Sequence, residues 1–419
     1  MSTHVEQLVH NAGQLANAGR WQEAERLWLE VRRLEPRHPK ALFSLGVHAL
    51  QRGDVAGARE LLQAARNAAP RDLLVLMTLA SAHREAGDSQ AEREAIEAAL
   101  ALDAYFLPAL LARAHWMERF GVAAQAAAVY ANALKIAPPE SHWPAMLRSQ
   151  LEHARDVVDS HSQKLGAHLA QRLGDLQASL SPEVASRWQE AAAILAGHSK
   201  PYRSECNQLH VPRLPAITFY ERSLFPWIAA LEAQTDAIRA ELLAALQSGR
   251  ERFSPYIAYQ PGDPVNQWRE LNHSTRWSAL QLWRGGIPVQ ENLQRCPQTA
   301  QALAQVPAAD IAGLCPNAMF SALAPHTHIP PHNGETNARL VAHLPLIVPE
   351  GCWFRVGFET RRWNVGEVLV FDDTIEHEAR NDSDELRVVL IFDVWNPLLT
   401  PPEREMVRAM TAAVREFRG

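Results

Sequence analysis

Two hydrophobic periodicities divide this chain. From residue 5 to about 141 the apolar positions recur at helical spacing, in paired segments such as WQEAERLWLEVRRLEP and VAGARELLQAARNAAP. The pairs repeat every 34 residues, with Gly19, Gly53, Gly87 and Gly121 in one register and the small residues Ala12, Gly46, Ala80 and Ala114 in another. Pro36, Pro70 and Pro138 mark repeat ends, and Ala104 stands at the third. A helix pair of this size cannot bury its apolar face alone and has to stack on its neighbours, so the pattern predicts a solenoid of four pairs. Helical patterning continues over 142 to about 200, with Ser181 and Pro182 of SLSPE as a helix start. The next stretch, KPYRSECNQLHVPRLP, loses periodicity and gains prolines, which predicts a linker. Beyond Ala216 a helix is expected over 226–246. Short strand-like runs follow at 277–283, 318–324, 338–348, 352–358, 367–371 and 387–395, separated by turn residues. That spacing predicts an antiparallel sandwich or jelly roll. An amphipathic helix, PPEREMVRAMTAAVREF, is expected to cover one sheet. The fold class is therefore multidomain α + β.

Composition narrows the function. At 419 residues the chain has room for two or three domains, and 47% apolar with 21% charged residues is ordinary for packed cores. A net charge of -6 argues against a nucleic-acid partner, which calls for a basic face. Cys206, Cys296, Cys315 and Cys352 are too widely spaced for a metal motif or a disulfide framework. The N-terminus shows no basic-then-apolar leader, and no window approaches the run of about 18 apolar residues that a membrane span needs. The expectation is a soluble chain in a reducing, cytoplasmic setting.

The candidate chemistry lies between Phe320 and Pro397. There, FSALAPHTHIPPHNGETNARLVAHL and VLVFDDTIEHEARNDSDELRVVLIFDVWNP place His332 and His377 beside strand-like runs, with Arg387 ten residues after the second histidine. Two imidazoles suit a metal held between strands, and a guanidinium suits the acid end of a co-substrate. This is the pattern expected of a non-haem iron, 2-oxoglutarate-dependent oxygenase. The usual third ligand would be an acid two residues after the first histidine, but Gly334 stands there. Glu335 is one place too far, and Asp372 or Asp373 would need another geometry. Competing readings are two ordinary satisfied histidines, or HTHIPPH as a metal tract by itself.

The 34-residue period with its small residues and terminal prolines resembles tetratricopeptide (TPR) repeats. HNGETNARLVAHL, the ETRRW…G…FDD…HE run and DVWNP resemble the aspartyl/asparaginyl β-hydroxylases over roughly 215–400, a family whose animal members carry TPR repeats before the catalytic domain. The resemblance implies a double-stranded β-helix (jelly-roll or cupin-like) oxygenase and an iron site with two histidines and a glycine in the acid's place. His332 and His377 would then hold Fe(II). Arg387 would bind the far carboxylate of 2-oxoglutarate, Ser321 and His343 would hydrogen-bond the same co-substrate, and Trp277 would line the pocket. With O2 the family converts 2-oxoglutarate to succinate and hydroxylates an unactivated carbon, the β-carbon of an Asp- or Asn-like residue. Of the cations that family members set around a substrate carboxylate, Met319 and Val341 replace two and Arg339 remains. The expected division is a TPR solenoid at 1–141, a helical extension and linker at 142–214, a catalytic domain at 215–400 and a C-terminal helix at 401–419. The expected substrate is a peptide or protein presented by the repeats. The alternatives are a hydroxylase of a small molecule or lipid acyl chain, and a TPR adaptor with a degenerate oxygenase domain.

Overall fold

Each glycine of the 34-residue register lies just past a helix end in the left-handed region, with φ of +73, +79, +75 and +84° at Gly19, Gly53, Gly87 and Gly121. A side chain there would strain the backbone, so the spacing of these glycines dictates where helices stop. Asp54 and Asp88 follow directly, and their carboxylates accept from the Gly57 and Ala91 N–H groups at 2.9 and 3.1 Å, starting the next helix. The result is four helix pairs: Ser2–Asn17 with Trp21–Leu34, Pro39–Gln51 with Val55–Ala68, Leu73–Glu85 with Ser89–Leu102, and Leu107–Arg119 with Ala123–Ile136. Ala12, Ala80 and Ala114 are buried where helices cross, and a Cβ on Gly46 would come within 2.7 Å of Leu62. Two further helices follow, Arg148–Ala178 and Pro182–Ala196. Leu151 and Ala154 of the first join Leu111, Ala114 and Tyr130 in one core. Ser181 occupies the N-cap position of the second without a side-chain cap bond.

The computed structural model describes residues 2–121 and 123–418, and the chain divides into the units Met1–His198 and Ser199–Gly419. The second unit is built on β1 (Ser254–Pro255), β2 (Trp277–Arg284), β3 (Ile287–Pro288), β4 (Ala318–Leu323), β5 (Thr327–His332), β6 (Arg339–Ile347), β7 (Cys352–Val356), β8 (Glu359–Arg361), β9 (Leu369–Phe371), β10 (His377–Asn381) and β11 (Arg387–Trp395). The larger sheet runs β1-β2-β4-β11-β6-β9, with β3 on β2, and the smaller runs β5-β10-β7-β8. Pairing is antiparallel throughout the named strands.

Side-chain parity positions the site. Even-numbered residues of the central strands, such as Leu280, Phe320, Leu344, Leu390 and Phe392, pack against helix residues Ile228, Leu231, Ile238 and Leu242. Odd-numbered ones turn the other way, where Trp277, Leu323, Val341 and Val389 meet Ile329, Phe354, Val356 and Ala379 of the smaller sheet. Both faces of the larger sheet are therefore covered, which is why its strands read as nearly continuous apolar runs.

Four local expectations change. The helix expected over 226–246 is two, Ile228–Glu232 and Thr235–Gln247. It breaks where Glu232 takes both Arg222 nitrogens at 2.7 Å and the Val368 N–H at 2.7 Å, contacts that no periodicity carries. The proline-rich stretch read as a linker is an extended strap on the second unit. Glu205 N–H donates to Thr374 O at 2.8 Å, Asn207 N–H to Gly334 O at 3.1 Å and Gln208 N–H to Glu335 O at 3.0 Å. The C-terminal helix, Pro401–Arg418, packs at the end of β11 rather than across a sheet face: it buries Val407 among Ile311, Leu314 and Trp395, and leaves Met406, Met410, Val414 and Phe417 exposed. Finally, β5 and β10 carry too few apolar residues to read as strands, although both histidines stand on them.

Candidate functional site

His332 ends β5 and His377 begins β10, and antiparallel pairing sets the two opposite one another. Their ring centroids are 4.0 Å apart. Each Nδ1 lies on a backbone carbonyl two residues back, His332 on Pro330 O at 2.8 Å and His377 on Ile375 O at 3.0 Å. A carbonyl only accepts, so Nδ1 carries the proton in both rings and each Nε2 keeps a free lone pair. Burial, reinforced by the neighbouring His377, pushes His332 down to about 3, and burial pushes His377 down to about 4. At neutral pH both are uncharged, the form that binds a metal.

The larger sheet supplies the rest from its inward positions. Trp277 Nε1 donates to Ser321 Oγ at 3.1 Å, and its ring stacks on Tyr256 at 4.0 Å. Trp268 meets the His332 ring edge-on at 5.0 Å. On β6, His343 Nδ1 accepts from Trp363 Nε1 at 3.2 Å, which leaves Nε2 as the proton-bearing nitrogen and a donor into the cavity. Burial, with the Arg387 charge, holds His343 well below the ordinary imidazole range. Arg387 is 1% exposed and has no carboxylate partner among the described residues. Its Nη1 reaches Ser321 O at 3.4 Å, its carbon lies 4.5 Å from the Trp363 ring, and Nε has no partner. Burial pushes its guanidinium down to about 10. An uncompensated buried cation costs several kcal/mol unless an anion joins it.

The glycine at the acid's place is obligatory here. Gly334 N–H donates to Asp373 O at 2.7 Å, and a Cβ on Gly334 would overlap the Asp373 carboxylate. That carboxylate is itself fixed, with Oδ2 2.7 Å from Arg339 Nη1, while Oδ1 is buried and unpartnered. Arg339 also lies 3.5 Å from Asp393 and 3.5 Å from Glu335. Three acids around one buried guanidinium leave it no charge to spare, so the cation expected to receive a substrate carboxylate is already neutralised. Met319 and Val341 line the same cavity of about 700 Å³, as does Arg284 at an exposed edge, with no acid partner among the described residues.

Of the seven residues singled out from the sequence, His332, His377, Ser321, His343, Arg387, Trp277 and Arg339 all line this cavity. The other histidines of HTHIPPH do not join them. His326 bonds Asp384 at 2.9 Å and His328 bonds Glu378 at 2.7 Å, both at exposed positions, so the tract is not a metal cluster. Trp363, Tyr256, Trp268 and Arg284 went unread. Trp363 sits in the quoted ETRRW run, and its role needs the fold that brings it to His343. Cys206 is half-buried and the other three cysteines are buried as thiols.

Residues 232–397 match the family model described as Aspartyl/Asparaginyl beta-hydroxylase, and 14–72 match the Tetratricopeptide repeat model, which bears out both resemblances. The Aspartyl/asparaginyl beta-hydroxylase of Homo sapiens is 31% identical over 246 residues, 57% of this chain and 30% of that protein. The Ornithine lipid ester-linked acyl 2-hydroxylase of Rhizobium tropici is 38% identical over 185 residues, 43% of this chain and 62% of that protein. The Aspartate beta-hydroxylase domain-containing protein 2 of Homo sapiens is 36% identical over 135 residues, 32% of this chain and 37% of that protein. The chain thus spans less than two thirds of each of these relatives. No helix among the described residues is long and apolar enough to cross a membrane.

Proposed function

We propose that this chain, with an aspartyl/asparaginyl β-hydroxylase-family domain at 232–397 behind TPR repeats, is an Fe(II)- and 2-oxoglutarate-dependent hydroxylase. The observation that carries the reading is Arg387, a fully buried guanidinium without an acid among the described residues, in one cavity with two neutral histidines whose Nε2 atoms keep their lone pairs. The residues fit both groups. His332 and His377 would hold the iron, and Arg387, Ser321 and His343 would hold the dicarboxylate, through a charged pair and two hydrogen bonds. Iron with 2-oxoglutarate and O2 supplies the oxidising power to hydroxylate an unactivated carbon, with succinate and CO2 as co-products. The chain's own work is positional. The carbonyls of Pro330 and Ile375 aim the imidazoles, Trp363 fixes the His343 tautomer, and Tyr256, Trp268 and Trp277 supply an aromatic wall to the cavity.

For the substrate, an Asp- or Asn-like residue of a peptide or protein held by the repeats is the first reading. Its carboxylate would meet Arg284 at the cavity's edge, because Arg339 is already paired with acids. A lipid acyl chain is the second, favoured by Met319 and Val341 in the cavity wall and by the name of the Rhizobium relative.

The test is succinate release from 2-oxoglutarate by Fe(II)-loaded chain, in parallel with His377→Ala and Arg387→Met. Turnover by the wild type is expected to vanish in His377→Ala. In Arg387→Met the co-substrate KM should rise on the order of 100-fold, the penalty of a lost buried charge pair. If the wild type neither binds 2-oxoglutarate nor releases succinate, the proposal is wrong. Arg284→Met then separates the substrates, because it weakens an acidic peptide and leaves an acyl chain unaffected.

A further inference from the structure

Away from that cavity, three potential metal ligands converge on the helical unit. His115 and Glu118 stand one turn apart on Leu107–Arg119, and His153 projects from Arg148–Ala178. One ligand atom from each lies within 4.8 Å of the other two, the single such group of three His, Cys, Asp or Glu residues found among the described residues. His115 Nδ1 is 3.8 Å and His153 Nε2 2.8 Å from the same oxygen, Glu118 Oε2. In a tetrahedral zinc site with bonds of about 2.0–2.2 Å, ligand atoms stand roughly 3.3–3.6 Å apart. The two observed separations bracket that value, and the third lies within 4.8 Å.

The surroundings resemble a supported site rather than a chance meeting of surface charges. Tyr130, 1% exposed, donates its hydroxyl to Glu118 Oε2 at 2.6 Å and sets its ring edge-on to His153 at 5.7 Å. A buried anchor thus orients both the carboxylate and one imidazole, as outer partners of metal ligands commonly do. The helix carrying His153 is fixed there independently, because Leu151 and Ala154 are fully buried in the core with Leu111 and Tyr130. His115, Tyr130 and His153 also line a cavity of about 560 Å³, together with Met77, Ser81 and Leu111.

We propose that His115, Glu118 and His153 form a second metal site, which takes a divalent cation of the zinc class and leaves its fourth position open to that cavity. Two imidazoles and a carboxylate are a donor set that zinc accepts with one position free. A metal here would tie the fourth repeat to the long helix that follows it. The open position would accept a carboxylate or imidazole from whatever occupies the cavity.

The experiment is equilibrium dialysis of the full chain against Zn²⁺ alone, with bound metal counted per chain. In a His332→Ala/His377→Ala background, which removes the other histidine pair, one equivalent should still bind. Adding Glu118→Gln or His153→Ala should weaken it by more than about 10-fold, the loss that removing even a supporting partner of a ligand brings. Co²⁺ in the same background should give the visible bands of a four-coordinate site, and they should disappear with His115→Ala. If the background variant is folded by circular dichroism and binds no Zn²⁺, or if these substitutions leave binding unchanged, the site does not exist. Should the background variant fail to fold, wild type against His153→Ala decides. That side chain is half-exposed. One equivalent fewer supports the site, and equal stoichiometry overturns it.

Discussion

At Gly334 a single hydrogen atom in place of a side chain decides the character of the histidine pair. The Asp373 carboxylate fills the space a Cβ would take, and its ion pair with Arg339 prevents it from swinging away. Gly334→Ala is therefore expected to destabilise the protein by about 1–3 kcal/mol, the range for overpacking a filled site, read as a lower denaturation midpoint. Gly334→Asp should do the same without creating a third metal ligand, which a metal titration would show. The histidines themselves predict a pH dependence. Both are buried neutral, with folded values of about 3 and 4 against an ordinary value near 6.5. Below pH 6.5 the unfolded chain binds protons that the folded chain refuses, so their contribution is complete above that pH. It is lost as pH falls through the window from 6.5 towards 4 and 3. The melting temperature of the metal-free protein should fall across that window, and less steeply in His332→Ala/His377→Ala. The sequence already singled out His332, His377 and Arg387 by residue type and spacing. It could not show that Arg339 is neutralised, because Asp373 and Asp393 are distant in the chain and reach it only through strand pairing.

Among the elements, legibility followed burial. The helices of the repeats each keep one face in a core, so their period survives in the sequence, and the glycines that stop them need the left-handed region whatever their neighbours do. Gly46 tests the stacking of these helices: a Cβ there meets Leu62 at 2.7 Å. Gly46→Leu should cost about 1–3 kcal/mol and lower the thermal midpoint of the helical signal by circular dichroism, while 2-oxoglutarate turnover persists at low temperature. β2, β4, β6 and β11, covered on both sides, were equally visible as apolar runs. β5 and β10 were not. They lie in the smaller sheet, with His328, Pro331 and Arg380 turned to solvent and the catalytic candidates turned inward, so polar residues occupy both faces.

For the whole molecule, the two units have separate hydrophobic cores, and the strap at 200–214 belongs with the second. It bonds the backbone of Thr374, Gly334 and Glu335, the loops beside both histidines. A chain beginning at 199 is expected to fold and keep 2-oxoglutarate turnover. One beginning at 215 should lose most of it, as succinate assays on the two truncations would reveal. By itself the sequence determined the four-pair helical array and the antiparallel β unit, and it singled out the histidine pair and Arg387 as candidates. Each of these rests on local demands: the helical period, the left-handed turn, and residue types suited to metal and anion. Only the tertiary structure decided that the strap bonds the loops beside both histidines and that Trp363 orients His343. It alone showed that Arg339 is held by acids, whereas Arg284 at the cavity's edge has no acid partner among the described residues. Those outcomes depend on which carboxylates and rings are brought within a few ångströms across distant stretches of chain, and no local pattern records that.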